Sequence, residues 1–384
     1  MPKRLNVAIV GCGWVSDWHV RDGLAHLPDL FRVAACCDTD PEKLKSFADR
    51  YNVPDRYTSY ADVLAAKDID VIVLCTPPGF HYQMVKDALA ADKQVVCEKP
   101  FTSSLALADS IKELEARSKG RVMPIFQYRF GDGIAKVRHV IQSGLAGVHY
   151  VSSIETSKRR GSDYYSVPWR GKFATELGGA LVTQAIHTHD LLFWLVGPAA
   201  AVMAFKATRV NPIEVEDCAV ASLQMADGSL ASLSTTLGSA RQVTRLRLCF
   251  QHVTFEKQCF DDDSARPGND PWVVIPRNPE MGEVIERKMA EVAPATAWFV
   301  RQYELYHDAV LNNRPFPVTL DDAPASLELI TALYHSNDTG QAVQLPIGPG
   351  HPRYHGWAPD APTPSARPQG GHASSGRAVA SQSR

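Results

Sequence analysis

The stretch Leu5-Asn6-Val7-Ala8-Ile9-Val10-Gly11-Cys12-Gly13-Trp14-Val15-Ser16 decides the fold. Its first half, Leu5–Val10, is a compact apolar run of the kind that a strand buried on both faces requires. Its second half is a glycine turn that opens a helix, expected over residues 15–27. Gly11 permits the tight turn, Gly13 lets the backbone approach a pyrophosphate, and the N–H groups at the helix start face the anion. Trp14 and Val15 line the turn. The third position of this pattern is usually Gly or Ala. Here it is Ser16, small enough to keep helix and strand close. A second strand, Phe31–Cys37, runs into Asp38. A carboxylate there accepts hydrogen bonds from ribose hydroxyls and repels a 2′-phosphate, and no arginine follows in Asp38-Thr39-Asp40-Pro41. The turn therefore predicts a bound dinucleotide, with NAD preferred over NADP.

Working outward, strands and helices alternate. Strands are expected at 71–75, Gln94–Cys97 and 122–126, and helices at 81–91 and 104–119, with Asp40 capping one that starts at Pro41. That alternation implies βαβ units with right-handed crossovers and a doubly wound parallel sheet over residues 1–127. From about Val148 the texture changes. Strand candidates at 151–156, 199–208, 219–225, 230–237 and 244–250 follow one another, and Ala226-Asp227-Gly228 joins two of them in a hairpin. Residues 128–347 therefore read as an α+β domain with a large, open, mostly antiparallel sheet. Its helices are expected at 179–196, 297–312 and 322–337, after one at 131–143 that links the domains. Residues 348–384 form an extension. Its end, 367–384, is rich in Gly, Ser and Arg and is expected to be disordered.

Composition narrows the function. The chain has 384 residues, 45% hydrophobic and 21% charged, with a net charge of −2. No basic excess points to nucleic acid or an anionic membrane. The eight cysteines include no C-x-x-C pair, so neither a zinc nor a redox signature is present, and no metal is expected. The N-terminus does not read as a signal peptide, and the run 191–205 is broken by Gly197 and Pro198. A cytoplasmic protein is expected.

Two segments at strand ends carry the chemistry. Thr76-Pro77-Pro78-Gly79-Phe80-His81 follows one strand and Glu98-Lys99-Pro100 the next, where open α/β sheets bind ligands. Oxidising an alcohol needs a hydride acceptor and a base. A lysine buried beside a positive nicotinamide ring has its pKa lowered towards that task. In Gly178-Gly179-Ala180 and the ten residues that follow, helical spacing puts Thr183, His187 and Asp190 on one face. Imidazole suits acid–base work near neutral pH. His189, two residues on, faces elsewhere, which argues against a zinc pair. The loop 158–172 mixes cations with aromatic rings. Trp169 and Arg170 are its candidate substrate contacts, because rings stack on sugar C–H faces and cations bind phosphate or carboxylate.

Together, the glycine turn, the TPP-x-x-H loop, the E-K-P tripeptide and the GGA-x(6)-H-x-x-D segment resemble the Gfo/Idh/MocA family over most of the chain. The resemblance implies a Rossmann domain followed by an α/β domain whose sheet commonly makes the interface of a homodimer or homotetramer. It implies catalytic roles for Lys99 and His187. It also implies cofactor contacts from Gly11, Gly13, Trp14, Val15, Asp38, Thr76, Pro77, His81, Glu98, Lys99 and Gln127. Substrate contacts would come from Lys99, Arg129, Trp169, Arg170, Thr183 and His187. Many relatives carry an aspartate where this chain has Thr183. The pattern Thr183-Gln184-Ala185-Ile186-His187 is closer to a nucleotide-sugar dehydrogenase subgroup, which leaves more of the base role to Lys99. The implied activity is NAD-dependent oxidation or reduction at a secondary alcohol or ketone of a sugar, inositol or nucleotide sugar. Alternatives are a glycosidase or epimerase that retains its NAD, a non-catalytic NAD-binding sensor, and a dehydrogenase of cyclic hydrocarbon diols.

Overall fold

The computed structural model describes residues 3–260 and 266–358. The expected disordered end, 367–384, lies outside the described residues. The first sheet holds β1 (Leu5–Val10), β2 (Phe31–Cys37), β3 (Asp55–Tyr57), β4 (Val71–Leu74), β5 (Gln94–Cys97) and β6 (Val122–Pro124), in the order β3-β2-β1-β4-β5-β6. Every neighbouring pair is parallel. The order reverses between β1 and β4, which opens a crevice at their carboxyl ends. Val7, Ala8 and Ile9 of β1 and Ile72, Val73 and Leu74 of β4 are wholly buried. Each such valine, isoleucine or leucine contributes about 1.5–3 kcal/mol. Asp40 caps the helix Pro41–Tyr51, accepting from the N–H groups of Glu42 and Lys43.

The first helix is shorter than the sequence suggests. It runs Trp14–Arg21, and a 3₁₀ turn, Leu24–His26, follows. Gly23 marks the break: a Cβ there would lie 2.7 Å from the His19 carbonyl oxygen.

The second sheet holds β7 (His149–Arg159), β8 (Ala199–Ala207), β9 (Cys218–Met225), β10 (Leu230–Thr236), β11 (Gly238–Phe250), β12 (Val253–Cys259), β13 (Val273–Pro276) and β14 (Val343–Gln344). Their order is β13-β12-β11-β7-β10-β9-β8-β14. Only β7 and β10 pair in parallel. Burial alternates along β9 and β10, as one covered face demands. The helices Ile186–Val196 and Ala323–Thr339 cover that face, while Phe205 and Val220 stand exposed on strands of the same sheet. Strand β12 escaped the sequence reading although Val253, Phe255, Lys257 and Cys259 form its buried row. Strand β14, two residues long, is too short to announce itself.

Later parts of the chain return to the first domain. In the helix Trp298–Leu311, the Tyr303 ring packs edge-on against Phe31, and Gln302 donates to the Pro124 carbonyl. In the extension, Trp357 is buried and its indole N–H donates to the Leu177 carbonyl of the second domain, while the Tyr354 hydroxyl bonds Asp109 of the first. The first domain's core is therefore not built by residues 1–127 alone.

Candidate active site

The glycine turn lies at the carboxyl end of β1. Gly11 has φ +92°, and a Cβ there would meet the Cys75 carbonyl at 2.8 Å, so the position demands glycine. Nothing lies within 4 Å of where a Cβ on Gly13 would point. The helix that follows has no side-chain cap, so its first N–H groups remain for an anion. Ser16 is buried and its hydroxyl bonds the Gly13 carbonyl, tying helix to turn. Trp14 is exposed and rests on Trp18, with ring centroids 4.3 Å apart. Val15 is half-buried beside it.

Asp38 locks this turn from the end of β2. One carboxylate oxygen accepts from Cys12 N at 2.8 Å and the other from Asp40 N at 2.9 Å. An open approach, an uncapped helix start and a fixed acid fit NAD. Asp38→Asn keeps an acceptor but loses the charge. It is expected to lower kcat/KM for NAD about tenfold, the worth of one charge-assisted hydrogen bond, and to narrow the preference over NADP. An unchanged KM for NAD would remove Asp38 from the cofactor site.

The loops after β4 and β5 are bound to each other. His81 is buried, with Nδ1 2.8 Å from the Pro100 carbonyl oxygen and Nε2 2.9 Å from that of Thr76. Both ring nitrogens are engaged, so His81 staples the loops instead of touching a cofactor as expected. Pro77 is half-buried beside Thr76, whose hydroxyl lies 3.4 Å from the Met84 sulfur. Glu98 also departs from the expected cofactor contact. Its Oε1 is 3.0 Å from His19 Nε2, and its Oε2 accepts from Lys99 N at 3.1 Å. The other His19 nitrogen is 2.6 Å from the Tyr303 hydroxyl. Burial raises the Glu98 carboxyl, but the His19 hydrogen bond and the positive neighbours outweigh it and bring the pKa down to about 2. A buried Glu98–His19–Tyr303 chain thus anchors the backbone of Lys99.

Lys99 itself crosses to the second domain, where its Nζ donates to the Thr183 carbonyl at 2.7 Å. Burial holds its pKa below the usual lysine range. Arg170 and Arg160 push the same way, while Glu98 and Glu176 oppose them.

The acceptor belongs to a π-helical turn, Leu181–Ala185, that precedes the α-helix Ile186–Val196. A continuous α-helix from 179 is therefore corrected. The cause is Glu216. A Cβ on Gly179 would lie 1.7 Å from the Glu216 carbonyl oxygen, and the buried Glu216 carboxylate accepts from Gly179 N, Leu181 N and the Tyr334 hydroxyl. That clamp sets the turn, and π turns often mark functional sites. The Thr183 hydroxyl bonds back to the Gly179 carbonyl at 2.8 Å.

His187 is 8% exposed and stacks on Tyr128 at 4.8 Å. Its Nδ1 is buried without a partner, which leaves Nε2 as the nitrogen available to a ligand. Burial and the Lys99 charge push its pKa well below the ordinary value, so the ring is neutral. Asp190 does not orient it. Arg129 grips Asp190 at 2.8 and 2.5 Å and reaches Asp322 at 3.3 Å. Arg129 is 5% exposed, so the expected substrate contact is corrected to a buried ion pair. Gln127 is buried beside it, with Oε1 unpartnered. His189 is buried separately, and burial lowers it to about 3. Among the described residues no group of three His, Cys, Asp or Glu side chains could hold a metal ion.

The cationic loop lies close to Lys99. Arg170 is sandwiched between Tyr164 (3.8 Å) and Trp169 (4.2 Å), and its guanidinium pairs with the buried Glu176 at 3.0 Å. Glu176 carries no sequence signal of its own and is found only through the fold, whereas Arg160 belongs to the cationic loop read from the sequence.

Two family models match the chain: an oxidoreductase family with an NAD-binding Rossmann fold over residues 5–126, and the GFO/IDH/MocA C-terminal domain over 134–256. The D-glucoside 3-dehydrogenase of Escherichia coli is 26% identical over 366 residues, covering 89% of this chain and 97% of that protein. The uncharacterized oxidoreductase YrbE of Bacillus subtilis is 28% identical over 243 residues, covering 62% and 68%. The WlbA dehydrogenase of Bordetella pertussis, solved in complex with NADH and UDP-GlcNAcA, superposes with a TM-score of 0.77 at 26% identity, covering 90% of this chain and all of that one. No helix among the described residues is long and apolar enough to cross a membrane.

Proposed function

Because the chain belongs to the Gfo/Idh/MocA family of oxidoreductases, with an NAD-binding Rossmann domain, we propose that it moves a hydride between NAD and a secondary alcohol or ketone of a sugar, inositol or nucleotide sugar. One observation carries the reading. A lysine with a lowered pKa, Lys99, and a neutral histidine, His187, lie together at the mouth of the dinucleotide crevice. NAD, its pyrophosphate held at the glycine turn, would supply the nicotinamide as hydride acceptor. Lys99 takes the hydroxyl proton in its neutral form, which burial and two arginines favour, and the Thr183 carbonyl aims its amine. His187, its ring plane fixed by Tyr128, hydrogen-bonds the same hydroxyl through Nε2. The known relatives fit this reading, one acting on D-glucosides and another crystallised with a nucleotide sugar. In the same reading, Phe205 and Val220 belong to a face on which copies of the chain meet as a homodimer or homotetramer.

The test is nicotinamide absorbance with NAD and a panel of sugars, inositols and nucleotide sugars. NAD-dependent turnover is the expected result. Silence across the panel, with NAD still held by the purified protein, would overturn the dehydrogenase reading in favour of an enzyme that never releases its cofactor or a sensor.

A further inference from the structure

The site's charges do not balance, and the imbalance has an address. The Glu98 charge acts on Lys99, although its carboxylate is bound to His19 and to the Lys99 backbone N–H, and Arg170 pairs with Glu176 at 3.0 Å. Arg160 follows β7 directly and is also close enough to Lys99 for its charge to act there. It forms no ion pair with any described residue. Its fork rests on neutral oxygens instead: Nη1 on the Gln242 side chain and the Arg159 carbonyl, both at 2.9 Å, and Nη2 on the Gln184 side chain at 3.3 Å. Its Nε is buried with no partner, and the guanidinium lies 5.3 Å from the Tyr164 ring, the ring on which Arg170 stacks. Gln184 is the neighbour of Thr183, whose carbonyl holds the Lys99 amine. An uncompensated guanidinium therefore stands one residue from the acceptor of the proposed base.

Burying a cation without an anion is costly, so such a group usually awaits one. A planar guanidinium matches a carboxylate with two parallel hydrogen bonds. Arg160 offers one guanidinium charge without an ion-pair partner among the described residues, which suits a monoanionic carboxylate better than a phosphate dianion. Building on the hydride-transfer reading, we propose that the substrate is a sugar acid whose single carboxylate is met by Arg160, while its reacting hydroxyl lies at Lys99 and His187. Arg170 shapes the pocket through its stack with Tyr164 and Trp169, its own charge already spent on Glu176.

Titration calorimetry on the NADH-loaded protein tests this without needing turnover. The probes are D-glucuronate and D-galacturonate, their neutral partners D-glucose and D-galactose, and glucose 6-phosphate. The acids are expected to bind about 10–100-fold more tightly than the neutral sugars, as a charge-assisted pair allows. Arg160→Gln is expected to erase that margin, so that acids and neutral sugars bind alike, and Arg160→Lys to keep part of it. Equal binding of acids and neutral sugars, no binding of either acid, preference for the phosphate, or a margin that survives in Arg160→Gln would each overturn the proposal. Nicotinamide absorbance followed on parallel samples loaded with NAD separates the two readings. Acid binding that depends on Arg160 without hydride transfer to NAD would sink the dehydrogenase reading and leave the carboxylate site standing.

Discussion

Lys99→Ala is expected to lower kcat/KM by about 10²–10⁴-fold, the usual contribution of a positioned general base, while KM for NAD changes little. The split follows from where the side chain goes. Its amine leaves the first domain and bonds the Thr183 carbonyl, whereas the glycine turn and Asp38 stand on β1 and β2. The wild type should show a rising limb in kcat/KM for alcohol oxidation, because the amine works only without its proton. Burial and the two arginines hold its pKa below the usual lysine range, so that limb belongs below the pH at which an exposed lysine titrates. In Arg160→Gln one cation is gone, Lys99 keeps its proton to higher pH, and the limb moves up. His187 cannot be the source of this limb, since its own pKa lies well below the ordinary histidine value. Retention of wild-type kcat/KM within tenfold by Lys99→Ala, with the limb still present, would remove Lys99 from the chemistry.

How much of this could be read from the sequence depended on the range of the interaction. The first sheet was legible because each strand and its turn are local: Leu5–Val10 is apolar throughout, and Gly11 and Gly13 follow at once. Lys99 and His187 were reached through short motifs at strand and helix ends. Their supports were not. His19 meets Glu98 across 79 positions and Tyr303 across 284, and neither neighbour leaves a mark near residue 19. The π turn depends on Glu216, which is 35 residues from Leu181 in sequence. Spacing alone predicted an α-helix there and could not foresee a carboxylate arriving from another segment. Asp190 is the instructive case. Helical periodicity put it on one face with His187, but its partner is Arg129, 61 positions away.

That correction yields the second large effect. Arg129→Met is expected to destabilise the protein by about 3–5 kcal/mol in denaturant unfolding, the cost of stranding a buried charge. Asp190 is 2% exposed, and burial already raises its carboxyl pKa even with Arg129 bound on both oxygens. Without the guanidinium it faces only the further negative charge of Asp322, so its pKa rises more. A carboxyl with a raised folded-state pKa binds its proton on folding. The stability it lends is full below the ordinary carboxylate pKa and is lost as pH rises through the folded value. Arg129→Met should therefore lose stability from acid towards neutral pH more steeply than the wild type. Asp190→Asn added to Arg129→Met removes the stranded charge and should recover much of the loss, which a merely poor fit of methionine would not allow. Stability within 0.5 kcal/mol of wild type together with a raised substrate KM would return Arg129 to the substrate site. The bidentate grip on Asp190, inside a side chain only 4% exposed, predicts the opposite: a folding defect that is repaired from the carboxylate side.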